Sequence, residues 1–139
     1  MSIQAETNKE LVRRFVEQAQ SRHDLSAVDT YVAPDFVDHS APAGVPSTRE
    51  GVKMQFQMFI QGLPDLQAII DFQVADDDKV VTRKTLRGTH QGDLMGIPPT
   101  GRTVDIEVID IVRVQAGRIT EHWNNVDRLG LMRQLGVLG

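Results

Sequence analysis

The chain of 139 residues contains no cysteine, which excludes disulfides, thiolate nucleophiles, Cys-bound zinc and iron–sulfur clusters. Aromatic residues are scarce, with five Phe, one Tyr and one Trp. No apolar run approaches the roughly 20 residues that span a bilayer. The first ten residues are polar and lack the apolar stretch of a signal peptide. Together these features predict a cytoplasmic protein that makes no membrane contact. Basic charge is not in excess either. Fifteen Lys and Arg stand against 19 Asp and Glu, a formal charge of -4, whereas nucleic-acid binding needs a basic face to displace counterions. Nucleic acid is therefore not an expected partner. What remains is an ordinary globular mixture, 40% hydrophobic and 24% charged, of a size for one domain over residues 1–139. Its chemistry must come from Asp, Glu, His and amide side chains.

Helical signals come first. Thr7 and Glu10 have the spacing of a capping box, and Leu11, Val12, Phe15, Val16 and Ala19 follow on one helical stripe. Ser21 to Asp24 reads as a break, with Asp24 capping a short second helix that turns Leu25, Val28 and Val32 inward and ends at Pro34. Phe36 to His39 reads as a short strand and Ser40 to Pro46 as a loop. Ser47 with Glu50 forms a second capping box, opening a helix that buries Val52, Phe56, Phe59, Ile60 and Leu63 and closes at Gly62 and Pro64.

The period then changes to two. Leu66, Ala68, Ile70, Phe72 and Val74 alternate with Gln67, Ile69, Asp71, Gln73 and Ala75, and Asp76 to Lys79 is a turn. Val80 to Arg87 is a second strand, and Gly88 to Arg102, with four glycines and two prolines, is a long connection. Thr103 to Gln115 and Arg118 to Val126 form a hairpin about Ala116-Gly117. A short last helix presents Leu129, Leu131, Met132 and Leu135. Helices followed by antiparallel strands give an α+β layout, with helices packed on one face of a curved sheet. The mouth of such a cone is a natural small-molecule site.

Strand parity picks out the chemistry. One face of Thr103–Gln115 carries Val104, Ile106, Val108, Asp110 and Val112, so Asp110 is the single charge on an aliphatic face. Its pKa should rise there unless it finds a partner; the plain alternative is a buried, hydrogen-bonded Asp. In the partner strand His122 and Asn124 share a face. If that face is Asp110's, an imidazole and a carboxylate meet in one pocket and are competent for acid–base work. His39 and His90 lie beside loops, where binding groups often sit. None of these histidines has ligand spacing, so no metal is expected. The Gly96–Arg102 loop lacks the Lys-Ser/Thr of a phosphate loop, and Ser40 has no nucleophile-elbow setting.

The segments Phe36-Val37-Asp38-His39, Leu63-Pro64-Asp65-Leu66, Gly88-Thr89-His90-Gln91-Gly92 and Gly96-Ile97-Pro98-Pro99-Thr100-Gly101-Arg102 occur in this order. Gly117-Arg118-Ile119-Thr120-Glu121-His122-Trp123 and Arg133-Gln134-Leu135-Gly136 follow. With them the chain resembles the SnoaL-like polyketide cyclases (predicted ester cyclases) of the nuclear-transport-factor-2-like (NTF2-like) superfamily, from about Asn8 to Leu135. The resemblance implies an NTF2-like conical α+β barrel. It also implies a homodimer or higher homo-oligomer built by sheet-to-sheet packing, and ring closure by intramolecular aldol condensation without metal or cofactor. The acid–base Asp of those cyclases lies two residues after the His of the last strand, where this chain has Asn124, and a family histidine on the preceding strand corresponds to Asp110.

These readings combine into one expectation: a cofactor-independent cyclase, lyase or isomerase acting on a small apolar carbonyl compound. Asp110 and His122 are its catalytic pair, and Asn124, His90, His39, Val108 and Phe15 line its substrate site. Its alternatives are a ligand-binding module without chemistry and a hydroxylase or hydrolase variant of the same fold. A structural partner protein would require a large exposed apolar patch.

Overall fold

A computed structural model describes residues 2–138, so the two terminal residues of the expected domain lie outside it. Helix α1 (Ile3–Val16) runs into a π-helical turn (Glu17–Ser21), and a short α2 (Ala27–Tyr31) leads directly into β1 (Val32–Asp38). Helix α3 (Arg49–Gly62) follows, then β2 (Gln67–Asp76), β3 (Lys79–Thr89), β4 (Thr103–Gln115), β5 (Arg118–Val126) and α4 (Arg128–Gln134). The sheet order is β1-β5-β4-β3-β2. Strands β2 to β5 are an antiparallel meander, and β1 joins its edge parallel to β5. Helix α1 packs on β2 and β3, α3 on β1, and α4 on β4. This is the expected α+β cone, with one parallel edge strand.

Several local expectations shift. Helix α1 starts four residues before Thr7, because the Ser2 hydroxyl already accepts the Ala5 N–H at 3.0 Å. Thr48, not Ser47, precedes α3, and its side chain makes no capping bond. Pro34 lies inside β1 instead of ending a helix; an edge strand tolerates its missing N–H. In β2 the pairing skips Asp71, since Ile70 pairs with Lys84 and Phe72 with Arg83. One extra residue reverses the inward set. Ala68 and Ile70 therefore face the helices, as do Gln73 and Ala75, while Phe72 and Val74 are turned to the exposed outer face. Leu129 is exposed as well, whereas Leu131 and Leu135 are buried.

Two apolar clusters fill the cone. At the closed end Leu63, Leu66, Leu86, Leu94, Val104, Ile106, Leu131 and Leu135 are all nearly inaccessible. The long loop after β3 folds over this cluster and is pinned at both ends. Asp65 accepts the Thr89 N–H at 2.7 Å and the Thr89 hydroxyl at 2.8 Å. Gln134 exchanges two 2.7 Å bonds with the Asp105 backbone. Gly92 sits where a Cβ would run into the Gln61 carbonyl, so no other residue fits there without moving the backbone of α3. At the open end Val12, Val16, Val28, Val32, Phe36, Val80, Val112 and Ile119 line a looser cluster.

Candidate active site

The open end encloses a cavity of about 90 Å³. Its wall is mostly Val and Phe, from α1 (Val12, Phe15, Val16), α3 (Val52, Phe56, Phe59) and the inner faces of the strands. Phe15 contacts Phe56 and Tyr31 with ring centroids 5.9 Å apart in each pair, tying α1 to α3 and to α2.

Across this apolar wall runs one line of polar side chains. The register of the hairpin sets Asp110 opposite Asn124 and Val112 opposite His122, so His122 and Asp110 do share the inner face. His122 Nε2 lies 2.7 Å from Asp110 Oδ1, and His122 Nδ1 lies 2.9 Å from Asp38 Oδ1 on β1. Asp110 Oδ2 meets the Lys84 ammonium at 2.7 Å. Lys84 in turn donates to Gln20 Oε1 at 2.7 Å. Asp38 also accepts the Ser40 N–H at 3.0 Å on Oδ1 and the Gln55 amide at 3.3 Å on Oδ2. The sequence of contacts is Gln20, Lys84, Asp110, His122, Asp38, Gln55. All six line the cavity.

The protonation states follow from the contacts. Burial alone would discharge His122, yet carboxylates at both ring nitrogens outweigh it and push its pKa up to about 9. At neutral pH the ring is an imidazolium donating both N–H groups. Burial would raise the Asp110 carboxyl, but the Lys84 ammonium and the His122 bond hold it well below the ordinary carboxylate range. The expectation of a raised Asp110 pKa thus fails through its own condition: the residue has found partners. Asp38 is also lowered, burial being outweighed by the His122 hydrogen bond and charge. Two cations and two carboxylates make this line of groups electrically balanced.

The remaining expected residues divide. Asn124, Val108 and Phe15 line the cavity. His90 does not: it is fully buried at the closed end, where its Nδ1 accepts the Thr100 N–H at 3.2 Å and so takes a structural part in the loop. His39 is also outside. It stacks on Trp123 at 4.8 Å and pairs with Glu121 at 2.9 Å on the surface, because it follows β1 on the opposite side from Asp38. Among the described residues no group of three or more His, Asp or Glu side chains is arranged to hold a metal ion.

The reading of the sequence missed Lys84, Asp38, Gln20 and Gln55. Lys84 was available by the same parity that found Asp110, since Val80, Thr82, Lys84 and Leu86 alternate on the inner face of β3. Gln20 depends on the π-helical turn, in which the Arg22 N–H reaches back to the Glu17 carbonyl at 3.0 Å. Such turns often occur at functional sites.

A sequence profile of the SnoaL-like polyketide cyclase family matches residues 10–135, and the chain belongs to this family. It is 42% identical over 57 residues to the aklanonic acid methyl ester cyclase DnrD of Streptomyces peucetius; that match spans 41% of this chain and only 39% of the relative. The nogalonic acid methyl ester cyclase of Streptomyces nogalater is 28% identical over 118 residues, 78% of this chain and 83% of that protein. Among solved structures, AclR, a candidate hydroxylase of Streptomyces galilaeus, superposes with a TM-score of 0.86 at 31% identity, covering 97% of this chain and 99% of that one. The first two of these relatives are named as cyclases. No helix among the described residues is long and apolar enough to cross a membrane.

Proposed function

We propose that the protein is a cofactor-independent enzyme performing acid–base chemistry on a small, apolar, carbonyl-bearing polyketide, with ring closure by intramolecular aldol condensation as the step. One observation carries this reading: a charge-balanced Lys84–Asp110–His122–Asp38 chain set into the wall of an otherwise apolar cavity. Ionised groups in a low-dielectric cavity act strongly on charge that develops beside them. A carboxylate of this chain removes a proton from carbon between two carbonyl groups. The resulting enolate attacks a further carbonyl of the same molecule, and the new alkoxide is protonated. Asp110 and His122 form the core of the machinery, Asp110 keeping the imidazole charged and oriented. Asn124 presents an amide to the cavity in place of the acid–base carboxylate of the characterised cyclases. The exposed outer sheet face, with Ile69, Phe72, Val74 and Ile109, suits self-association.

Incubation with nogalonic and aklanonic acid methyl esters tests the reading. A product of unchanged mass and altered ring count, lost in His122→Ala, is the expected result. Tight binding of either ester without turnover would favour the second reading, a ligand-binding module, for which Asn124 is the supporting observation.

A further inference from the structure

The two carboxylates beside His122 are not equivalent. Asp110 is held at both oxygens by short charged bonds, 2.7 Å from His122 and 2.7 Å from the Lys84 ammonium. Its negative charge is committed to two cations, and moving a proton onto it would strand a buried ammonium. Asp38 differs. Its Oδ1 is fully used, accepting from His122 Nδ1 at 2.9 Å and from the Ser40 N–H at 3.0 Å. Its Oδ2 has a single contact, a neutral amide N–H from Gln55 at 3.3 Å. A carboxylate oxygen can accept more than this one long bond, so Oδ2 keeps a free lone pair. Asp38 lines the cavity and has no direct bond to the ammonium.

We propose that Asp38, not Asp110, takes the proton from the substrate, through Oδ2. This rests on the proton-transfer reading above and assigns its base. In the step the substrate C–H bond breaks, the proton forms an O–H bond on Asp38 Oδ2, and the C–H electron pair passes to the carbonyl oxygen as an enolate. Protein charge then balances substrate charge. The chain of groups starts neutral and becomes singly positive, with His122 and Lys84 now facing only Asp110, at the moment the bound molecule becomes singly negative. The same transfer onto Asp110 would give the same total, but would remove the one anion that Lys84 touches. Every group facing Asp38 is accounted for: His122 from β5, Gln55 from α3 and the Ser40 backbone from the loop after β1.

Deuterium exchange at the central carbon of methyl benzoylacetate, a small aromatic β-keto ester, followed by NMR in slightly acidic D₂O, reads this step without ring closure. Wild-type protein should accelerate exchange. Asp38→Asn should lose about 10²–10⁴-fold of that rate, the usual worth of a positioned base. Asp110→Asn should lose at least tenfold less than Asp38→Asn. Gln55→Met removes the one donor on Oδ2 and should move the acid limb of the pH profile to higher pH. That shift is not expected if Asp38 only holds His122, and it remains readable should Asp38→Asn fail to fold. Acceleration retained in Asp38→Asn, or lost chiefly in Asp110→Asn, overturns the assignment while leaving proton transfer standing. An acid limb unmoved in Gln55→Met also overturns it. No acceleration by the wild-type protein removes the proton-transfer reading and the assignment together.

Discussion

The two ends of the cone are built on the same strands and do opposite things. On β3 neighbouring inner positions are Lys84 and Leu86, and on β4 they are Asp110 and Val108. Two residues along each strand carry the wall from an ionised side chain to an apolar one that lines the cavity and also belongs to the packed cluster behind it. At the closed end Leu63, Leu66, Leu94 and Ile106 are sealed by the loop after β3 and by α4. At the open end the core is hollow, and four ionised groups replace apolar contact. Apolar burial is favourable wherever it occurs, whereas buried ion pairs roughly break even against apolar packing. Stability should therefore come mainly from the closed end and chemistry from the open one.

The sharpest break of this comparison is Lys84→Met. Removing one member of a buried pair leaves Asp110 beside His122 alone, and about 3–5 kcal/mol of stability should be lost. Adding Asp110→Leu to the same chain should restore most of it; denaturant unfolding measures both. If the double variant is no more stable than the single, the ion pair itself stabilises the fold and the comparison is wrong. Leu63→Ala, at the centre of the plug, should cost about 2–5 kcal/mol through lost transfer energy and a new cavity. Its turnover per folded molecule should be unchanged.

The pH dependence of stability sharpens the same point. His122 has a folded pKa raised from 6.5 to about 9, so its contribution is fully present below 6.5 and is lost as pH rises through 9. The loss is on the order of 3 kcal/mol, and His122→Gln should flatten it. Asp38 and Asp110 act in the opposite sense. Their lowered pKa values give stability that is present above 3.8 and lost as pH falls. Smallest is His39→Ala. The imidazole is a surface group, and its loss should change stability by no more than about 0.5 kcal/mol, with turnover unaffected.

Most of the architecture was legible in the sequence because it depends on period and turn chemistry. The β4–β5 hairpin follows from alternation and from Ala116-Gly117, both at positive φ as a tight two-residue turn requires. Asp110 stood out because one charge among aliphatic residues breaks that alternation. The bulge at Asp71 was hidden, since an unbroken alternation of apolar residues carries no mark of a skipped pair. The parallel docking of β1 on β5 was hidden too, because nothing local joins residue 38 to residue 122. That docking brings Asp38 to His122, so the second half of the site could not be read from either strand alone.

The segments that carry the family resemblance explain why fold was more legible than chemistry. Leu63–Leu66, Gly88–Gly92, Gly96–Arg102 and Arg133–Gly136 build the closed end and its clamps, such as the Arg102 bond to the Gln134 carbonyl at 3.2 Å. His90 belongs to that scaffold, not to the cavity. Only the segments holding Asp38 and His122 reach the open end.

The central claim is that His122 is a cation held between two carboxylates. Nitrogen NMR of the labelled imidazole across pH 5–10 addresses it directly. The account predicts that both ring nitrogens are protonated at neutral pH, with a midpoint near 9. A ring that is neutral at pH 7.5, titrating near 6.5, would contradict it.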